Sequence, residues 1–191
     1  MSLTPEFEIG LWNAWILILP FIIFHIFGSK ILGKREHEEG SSVTKKAKTA
    51  SNLYFPIMLL SYAYSIFLPL KLNTIWFVIG LLIYLPVMLF LVIGFLNLAT
   101  APVNELVTRG VYGISRHPMY LGEVVASISI SIACLSWVFL LLAIAKFLLI
   151  HYYVVGAEEP FLIEKYGDAY KEYINRTPRW IGMPKSEEKS P

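Results

Sequence analysis

The residues best suited to chemistry form a short polar stretch, Arg116-His117-Pro118-Met119-Tyr120-Leu121-Gly122, directly before a long apolar run. The arginine carries a planar set of donors that fits a carboxylate or a phosphate. The neighbouring histidine can donate or accept a hydrogen bond near neutral pH. The tyrosine offers its ring face to an aromatic group or to a cation. This combination predicts a site for a charged ligand at the edge of the apolar run.

A second polar set, His151, Glu158 and Glu159, follows the apolar run. Carboxylates accept hydrogen bonds from hydroxyl or ammonium groups, so the two sets together could hold a zwitterionic, nucleoside-like cofactor. Charged groups at the edge of a membrane span are costly unless paired or solvated, which makes them functional candidates. The alternative is that Arg116 reaches the membrane surface and pairs with Glu123, while the other residues contact lipid headgroups.

The composition is typical of a membrane protein. Of 191 residues, 56% are hydrophobic and 16% are charged, and the net charge is +2. The length predicts a single domain. The basic residues cluster in loops and form no stripe, which argues against a nucleic-acid partner. The histidine in the first loop, His37, lacks metal-ligand spacing, so we expect no metal site, and the single cysteine, Cys134, is a packing residue.

Apolar runs predict an all-α integral membrane protein with about five transmembrane helices. The predicted spans are residues 9–27, 52–70, 74–97, 119–135 and 137–155. The last two form a helical hairpin with its turn near Cys134-Leu135-Ser136, and Pro86 is expected to kink the third span. Because a hairpin returns to the side where it started, Arg116 and Glu158 should be neighbours in space.

The segments between and after the spans are polar. Residues 101–118 and 156–182 are predicted to lie on the cytoplasmic side, the second forming an amphipathic helix that closes a cofactor pocket. The tail 183–191 is expected to be disordered. The first loop, 29–51, is the most basic loop of the first half, which places it in the cytoplasm and the N-terminus outside.

These motifs resemble the isoprenylcysteine carboxyl methyltransferase family. The resemblance covers roughly residues 95–182, and the five-span pattern is similar to that of the short prokaryotic or archaeal members. The motifs that carry it are Arg116 to Gly122, Leu106-Val107-Thr108-Arg109-Gly110-Val111-Tyr112 before it, Glu158-Glu159, Tyr166-Gly167-Asp168-Ala169-Tyr170-Lys171-Glu172-Tyr173 and Pro178-Arg179.

The resemblance implies a methyltransferase that uses S-adenosyl-L-methionine and releases S-adenosyl-L-homocysteine. Arg116 and Glu158 are the predicted catalytic residues. The residues implied to bind the cofactor are Asn104, Glu105, Leu106, Val107, Tyr112, His117, Pro118, Met119, Tyr120 and Glu159. Family members place an arginine before the double glutamate, where this chain has Val154-Val155-Gly156.

The implied reaction is methylation of the carboxylate of a prenylcysteine-like or other lipophilic acceptor that enters from the bilayer among membrane lipids. The active site would face the cytoplasm, in the plasma membrane of a prokaryote or the endoplasmic reticulum of a eukaryote. Three alternatives remain: a phospholipid or small-thiol methyltransferase with the same cofactor, an enzyme similar to NADPH-dependent sterol reductases, and a non-enzymatic scaffold or transporter. The oligomeric state is open.

Overall fold

The computed structural model describes residues 7–26, 45–102 and 105–181, and this part of the chain is helical. The predicted disordered tail 183–191 and most of the basic first loop lie outside the described residues. Within these ranges no strand forms, and one isolated bridge pairs Asn13 with Pro69. The helices are α1 Trp15–Ile26, α2 Lys45–Ser65, α3 Ile75–Ala99, α4 Pro118–Ala133, α5 Trp137–Tyr153, α6 Glu159–Tyr166 and α7 Asp168–Arg176, with a 3-10 turn at Gly110–Gly113 and a π-helical turn at Val154–Glu158.

The predicted bounds of the first two spans were wrong. The first helix starts at Trp15 and not at residue 9, and α2 occupies Lys45–Ser65 and not 52–70. Residues 8–14 are not helical, because they bond to the chain that follows α2: the backbone amide of Ala14 donates to the Leu68 carbonyl at 2.8 Å. The side-chain amide of Asn13 (Nδ2) donates to the Ile66 carbonyl at 2.7 Å. These bonds end both helices where the apolar pattern would have continued them.

Among the described residues, two helices are long and apolar enough to cross a membrane: α3, and the continuous helical stretch Trp137–Tyr166 that starts with α5. The 25 residues of α3 span about 38 Å at 1.5 Å each, more than the roughly 30 Å of a hydrocarbon core. Their apolar side chains face outward: Leu82 is 67% exposed and Leu89 is 62% exposed. Such a surface is stable in lipid and not in water, which supports association with a membrane.

The closest helix crossing joins α3 to α4 through glycines. A Cβ atom added at Gly80 would lie 2.7 Å from the Ser129 carbonyl oxygen, and one at Gly122 would lie 2.5 Å from Leu91 Cδ2. Without side chains at these positions the two backbones approach closely, as small residues allow between membrane helices. Helix α3 continues through Pro86 as one element. The α3–α4 pair therefore forms one closed wall of the molecule.

The hairpin of α4 and α5 turns where the sequence predicted. Leu135 has φ 54°, and the Ser136 hydroxyl caps α5 by accepting from the Phe139 amide at 3.2 Å. The single amphipathic helix predicted after the hairpin is wrong: α6 and α7 are separate helices. Gly167, with φ 57°, divides them because that conformation ends a helix and suits glycine.

Replacing Gly80 with valine should destabilise the protein by about 1–3 kcal/mol, because the new side chain meets the α4 backbone, which cannot move aside. Thermal unfolding in detergent measures this. Gly113→Ala is the matched control, since its new Cβ meets nothing closer than the Thr108 carbonyl oxygen at 3.7 Å. Equal stability of the two variants would contradict the close crossing.

Candidate active site

The residues just before α4 and those at the start of α6 meet in one buried cluster. Arg116 Nη2 lies 2.7 Å from Glu159 Oε1, and His117 Nε2 lies 3.4 Å from the same oxygen. His117 Nδ1 lies 3.6 Å from Glu158 Oε1. The side chains of Arg116, His117 and Glu159 are each less than a tenth exposed. These contacts support the prediction that the two polar motifs are neighbours.

Local sequence explains how the cluster is presented. Pro118 occupies the first turn of α4, where its missing amide costs no helical hydrogen bond. His117, immediately before the proline, is kept out of the helical conformation and has φ −126° and ψ 58°. On the other side, the π-helical turn Val154–Glu158 comes directly before Glu159. Both histidine and glutamates thus lie at breaks in regular helix, which are common at functional sites.

The guanidinium of Arg116 donates to two main-chain carbonyls and to one carboxylate of the protein itself. Its Nη1 donates to the carbonyls of Ile174 at 3.1 Å and Thr177 at 2.9 Å, while Nη2 donates to Glu159. The Arg116 amide donates to the Pro178 carbonyl at 2.9 Å. Arg116 therefore fixes the segment after α7 over the site. If Arg116 contributes to catalysis, it does so by holding this segment in place. Its catalytic role stays a prediction.

Glu159 is held by three cationic side chains, of which Arg179 was not among the predicted site residues. Arg179 binds both carboxylate oxygens, with Nη2 2.6 Å from Oε2 and Nε 3.0 Å from Oε1. Burial by itself would raise the pKa of Glu159, but hydrogen bonds from His117, Arg179 and Arg116 outweigh it and hold this pKa well below its usual range. The Pro178-Arg179 pair in the sequence was the signal that could have identified Arg179.

Glu158 differs from Glu159 in having an unused oxygen. In the described part of the chain, its Oε2 is buried and has no hydrogen-bond partner, although the side chain as a whole is 24% exposed. A buried carboxylate oxygen without a partner is costly, so it fits a donor supplied by a ligand. Tyr120 lies within electrostatic reach of this carboxylate. Glu158 is the group in this cluster best placed to bind something from outside.

Aromatic rings surround the His117 side chain. The ring centroids of His117 and Tyr120 are 6.1 Å apart with the planes nearly parallel, and Trp180 lies 5.9 Å from His117 on another side. Tyr153 meets Tyr120 edge to face at 6.2 Å. Trp180 and Tyr153 were missed because neither stands in a motif, and the folded chain alone brings them to this histidine.

The other residues predicted to bind the cofactor differ in burial and in the residues that they contact. Val107 and Tyr112 are buried in a separate small core against α3, and the Tyr112 carbonyl accepts a hydrogen bond from Tyr173 at 2.6 Å. Glu105 is exposed and Leu106 is half-buried. Pro118 is buried, Met119 approaches Gly94 of α3, and Asn104 lies outside the described residues. Their cofactor roles stay predictions.

The comparisons with known proteins address this part of the chain. The sequence model of the phospholipid methyltransferase family matches residues 70–169, which is more than half of the chain. The chain belongs to this family. The matched range contains α3 to α6 together with Arg116, His117, Glu158 and Glu159, and it ends before Arg179.

A mouse delta(14)-sterol reductase is 31% identical to the chain over 88 residues, which are 46% of this chain and 21% of the reductase. The chain thus spans about a fifth of the length of that relative. Membership of the methyltransferase family implies a membrane-associated methyltransferase, and such enzymes generally use S-adenosylmethionine.

Replacing Glu159 with glutamine should destabilise the protein by about 3 kcal/mol, because it removes one partner from a buried ionic cluster and leaves Arg116 without a counter-ion. Thermal unfolding in detergent is the measurement. The control is Asp168→Asn, which removes a carboxylate from the exposed pair with Lys171 and should cause no measurable change. Equal effects of the two substitutions would show that the cluster contributes no special stability.

Stability should also depend on pH through His117. Burial would lower the pKa of His117, but hydrogen bonds to Glu158 and Glu159 raise it above its ordinary value of 6.5. A raised folded-state pKa gives stability that is fully present below pH 6.5 and lost as pH rises through the folded value. The melting temperature should therefore fall over that window. His117→Gln should flatten this part of the profile, and an unchanged slope would contradict the assignment.

Proposed function

We propose that the protein transfers a methyl group from S-adenosylmethionine to the carboxylate of a prenylcysteine-like or other lipophilic acceptor at the cytoplasmic face of a membrane. The observation that carries the proposal is the unpartnered, buried Oε2 of Glu158 beside His117 and Tyr120. Glu158 lies after α5 in the continuous helical stretch Trp137–Tyr166, which is apolar enough to cross a membrane. Family membership supports the methyl transfer, and the sequence motifs support the carboxylate acceptor.

The residues present fit S-adenosylmethionine. Glu158 would accept from an ammonium group or a ribose hydroxyl, which supplies the donor that its Oε2 lacks. Tyr120 and Trp180 offer aromatic faces to the adenine or to the positive sulfonium. His117 would be held in place between the two glutamates. When bound, the cofactor supplies a methyl group on a sulfonium, ready for transfer to a nucleophile.

The protein's own task is orientation and exclusion of water. An acceptor carboxylate, with a pKa of about 3.5, is ionised at neutral pH and needs no general base. Its oxygen forms the new bond to the methyl carbon as the carbon–sulfur bond breaks, and no proton moves. Arg116 and Arg179 hold the segment after α7 in contact with the buried carboxylate, which limits access of water to the reaction. Arg116 thus contributes by positioning, and Glu158 by binding.

The proposed topology has five spans with the hairpin last, the N-terminus outside and the site in the cytoplasm, as the basic first loop indicates. The acceptor would then reach the site from the bilayer. The membrane would be the plasma membrane in a prokaryote or the endoplasmic reticulum in a eukaryote.

A phospholipid acceptor is the second candidate, favoured by the description of the matching family. An amine acceptor must lose a proton before or during methylation, so its rate should rise with pH until that amine is deprotonated. A carboxylate acceptor should show no such rise above about pH 5. The sequence similarity to the sterol reductase supports a third candidate, an enzyme with a nicotinamide cofactor.

The detergent-purified protein should bind S-adenosylhomocysteine in a calorimetric titration and should not bind NADPH. Glu158→Gln should weaken that binding by at least about tenfold, because a neutral amide replaces a charged acceptor. Glu164→Gln is the matched control, since this glutamate is exposed on α6, the helix that directly follows Glu158. Binding of NADPH alone would overturn the proposal, as would tight binding by Glu158→Gln.

The acceptor class is tested by transfer of a radioactive methyl group to S-farnesyl-N-acetylcysteine and, separately, to vesicles of phosphatidylethanolamine. The proposal expects methylation of the farnesylcysteine, with a product that alkaline hydrolysis releases as methanol because it is an ester. Methylation of the phospholipid alone would replace the carboxylate acceptor with an amine.

A further inference from the structure

A second polar cluster lies inside the hairpin, away from the site described above. Lys146 of α5 is 2% exposed, and its Nζ donates to the Ser127 hydroxyl of α4 at 2.7 Å. The same Nζ lies 3.8 Å from Glu123 Oε1, and Tyr54 of α2 donates its hydroxyl to that oxygen. Three helices are therefore joined by one buried network.

Such a network is expensive in a membrane. A buried ion pair gains little over an apolar replacement, and ionisable groups within spanning helices are rare unless they have a function. Nothing in the proposed methyl transfer requires Glu123, Lys146 or Tyr54 at the reacting atoms. Their position relative to the active site indicates what they do.

Helix α4 carries a continuous polar stripe from the active site to this network. His117, Tyr120, Glu123 and Ser127 follow each other at spacings of three, three and four residues, which places them on one helix face. The ten steps from His117 to Ser127 correspond to a rise of about 15 Å, roughly half of a hydrocarbon core. Tyr54 also packs in the same apolar cluster as Tyr120 and Tyr153. The network therefore lies directly beyond the site, in the direction of the bilayer.

The two sides of the hairpin differ in how an apolar molecule could approach. On the α3 side, Gly80 and Gly122 bring the backbones so close that an added Cβ would clash. On the side where α2 contributes Tyr54, half-buried aromatic and aliphatic side chains pack against the buried cluster of Val124, Ile150 and Val154. They are Tyr54, Tyr120, Ile128, Phe147, Tyr153 and Trp180. The apolar part of an acceptor would fit the α2 side.

We infer that Tyr54, held by Glu123 and Lys146, is an acceptor-positioning residue that sets the wall against which the acceptor's apolar part lies. This inference rests on the proposed methyl transfer to a lipophilic acceptor. The network fixes the ring of Tyr54 next to Tyr120 and so fixes the distance between α2 and the active site. Tyr54 acts through placement and touches no reacting atom.

The test compares Tyr54→Phe with wild type in methyl transfer to S-farnesyl-N-acetylcysteine, or to phosphatidylethanolamine vesicles if that is the probe methylated. Phenylalanine keeps the ring and removes the bond to Glu123. The KM for the acceptor should rise about tenfold, as expected for loss of a hydrogen bond to a charged group. The kcat and the affinity for S-adenosylhomocysteine should stay within about twofold, because the cofactor residues are untouched.

The matched control is Tyr64→Phe, which removes a hydroxyl from the same helix. Tyr64 is paired with Ser136 at 3.3 Å, at the turn end of the hairpin, so the acceptor KM should not change. The double variant Glu123→Leu/Lys146→Met removes the network, including the acceptor of the Tyr54 hydroxyl, without leaving a lone buried charge. It should raise the acceptor KM as Tyr54→Phe does.

Three results would overturn the inference: an unchanged acceptor KM in Tyr54→Phe, an equal loss of cofactor affinity, or an equal KM change in Tyr64→Phe. A lower melting temperature with unchanged KM would show that the network is only structural. If wild type neither binds S-adenosylhomocysteine nor transfers a methyl group, the proposed function fails and this inference fails with it. If wild type is active and Tyr54→Phe behaves like wild type, only the inference fails.

Discussion

The candidate site depends on one carboxylate, that of Glu159. It is buried, yet two arginines and a histidine hold it in the ionised form. The partners come from two places: Arg116 and His117 lie directly before the hairpin, and Arg179 lies beyond α7. A buried charge without these partners would be strongly destabilising, so the chain must bring all of them together. Glu159 thereby fixes the geometry in which its neighbour Glu158 keeps a buried oxygen that has no hydrogen-bond partner in the described part of the chain.

The helices determine where this cluster lies. The hairpin of α4 and α5 returns the chain to its starting side, so residues more than forty positions apart in sequence become contacts. Glycines bring α3 and α4 close together, while on the side where α2 contributes Tyr54 larger aromatic side chains pack against the hairpin residues Val124 and Ile150. A membrane methyltransferase needs both features, since a polar cofactor must meet a lipophilic acceptor where water is excluded. The side of the hairpin that faces α3 is tightly packed, and the side with Tyr54 of α2 is the one where the proposed acceptor would approach from the bilayer.

Family membership and the site geometry carry different parts of the functional argument. The family match covers residues 70–169 and supports methyl transfer. It does not include Tyr54 of α2 or Arg179 and Trp180 near the C-terminus, all of which lie against the active-site aromatics or carboxylates. The family match therefore supports methyl transfer, while the contacts of Tyr54, Arg179 and Trp180 come from the structure alone.

The sequence by itself determined the helical class, the apolar runs, the hairpin turn at Leu135 and the motifs that meet in the site. These follow from local composition and spacing, which decide where a helix is stable in lipid and where a proline or a glycine ends it. Only the tertiary structure decided that the first helix starts at Trp15, because long-range hydrogen bonds to the 66–70 segment hold Asn13 and Ala14 outside the helix.

Only the tertiary structure, too, decided how the two glutamates divide their tasks. Adjacent and identical in the sequence, they are separated by their partners: Glu159 is saturated by Arg116, His117 and Arg179, while Glu158 keeps a free oxygen. The same holds for Glu123, which the sequence offered as a partner of Arg116 and which the fold pairs with Lys146 and Tyr54. Spacing along a helix limits which side chains can meet, but the packing of other helices decides which of them do.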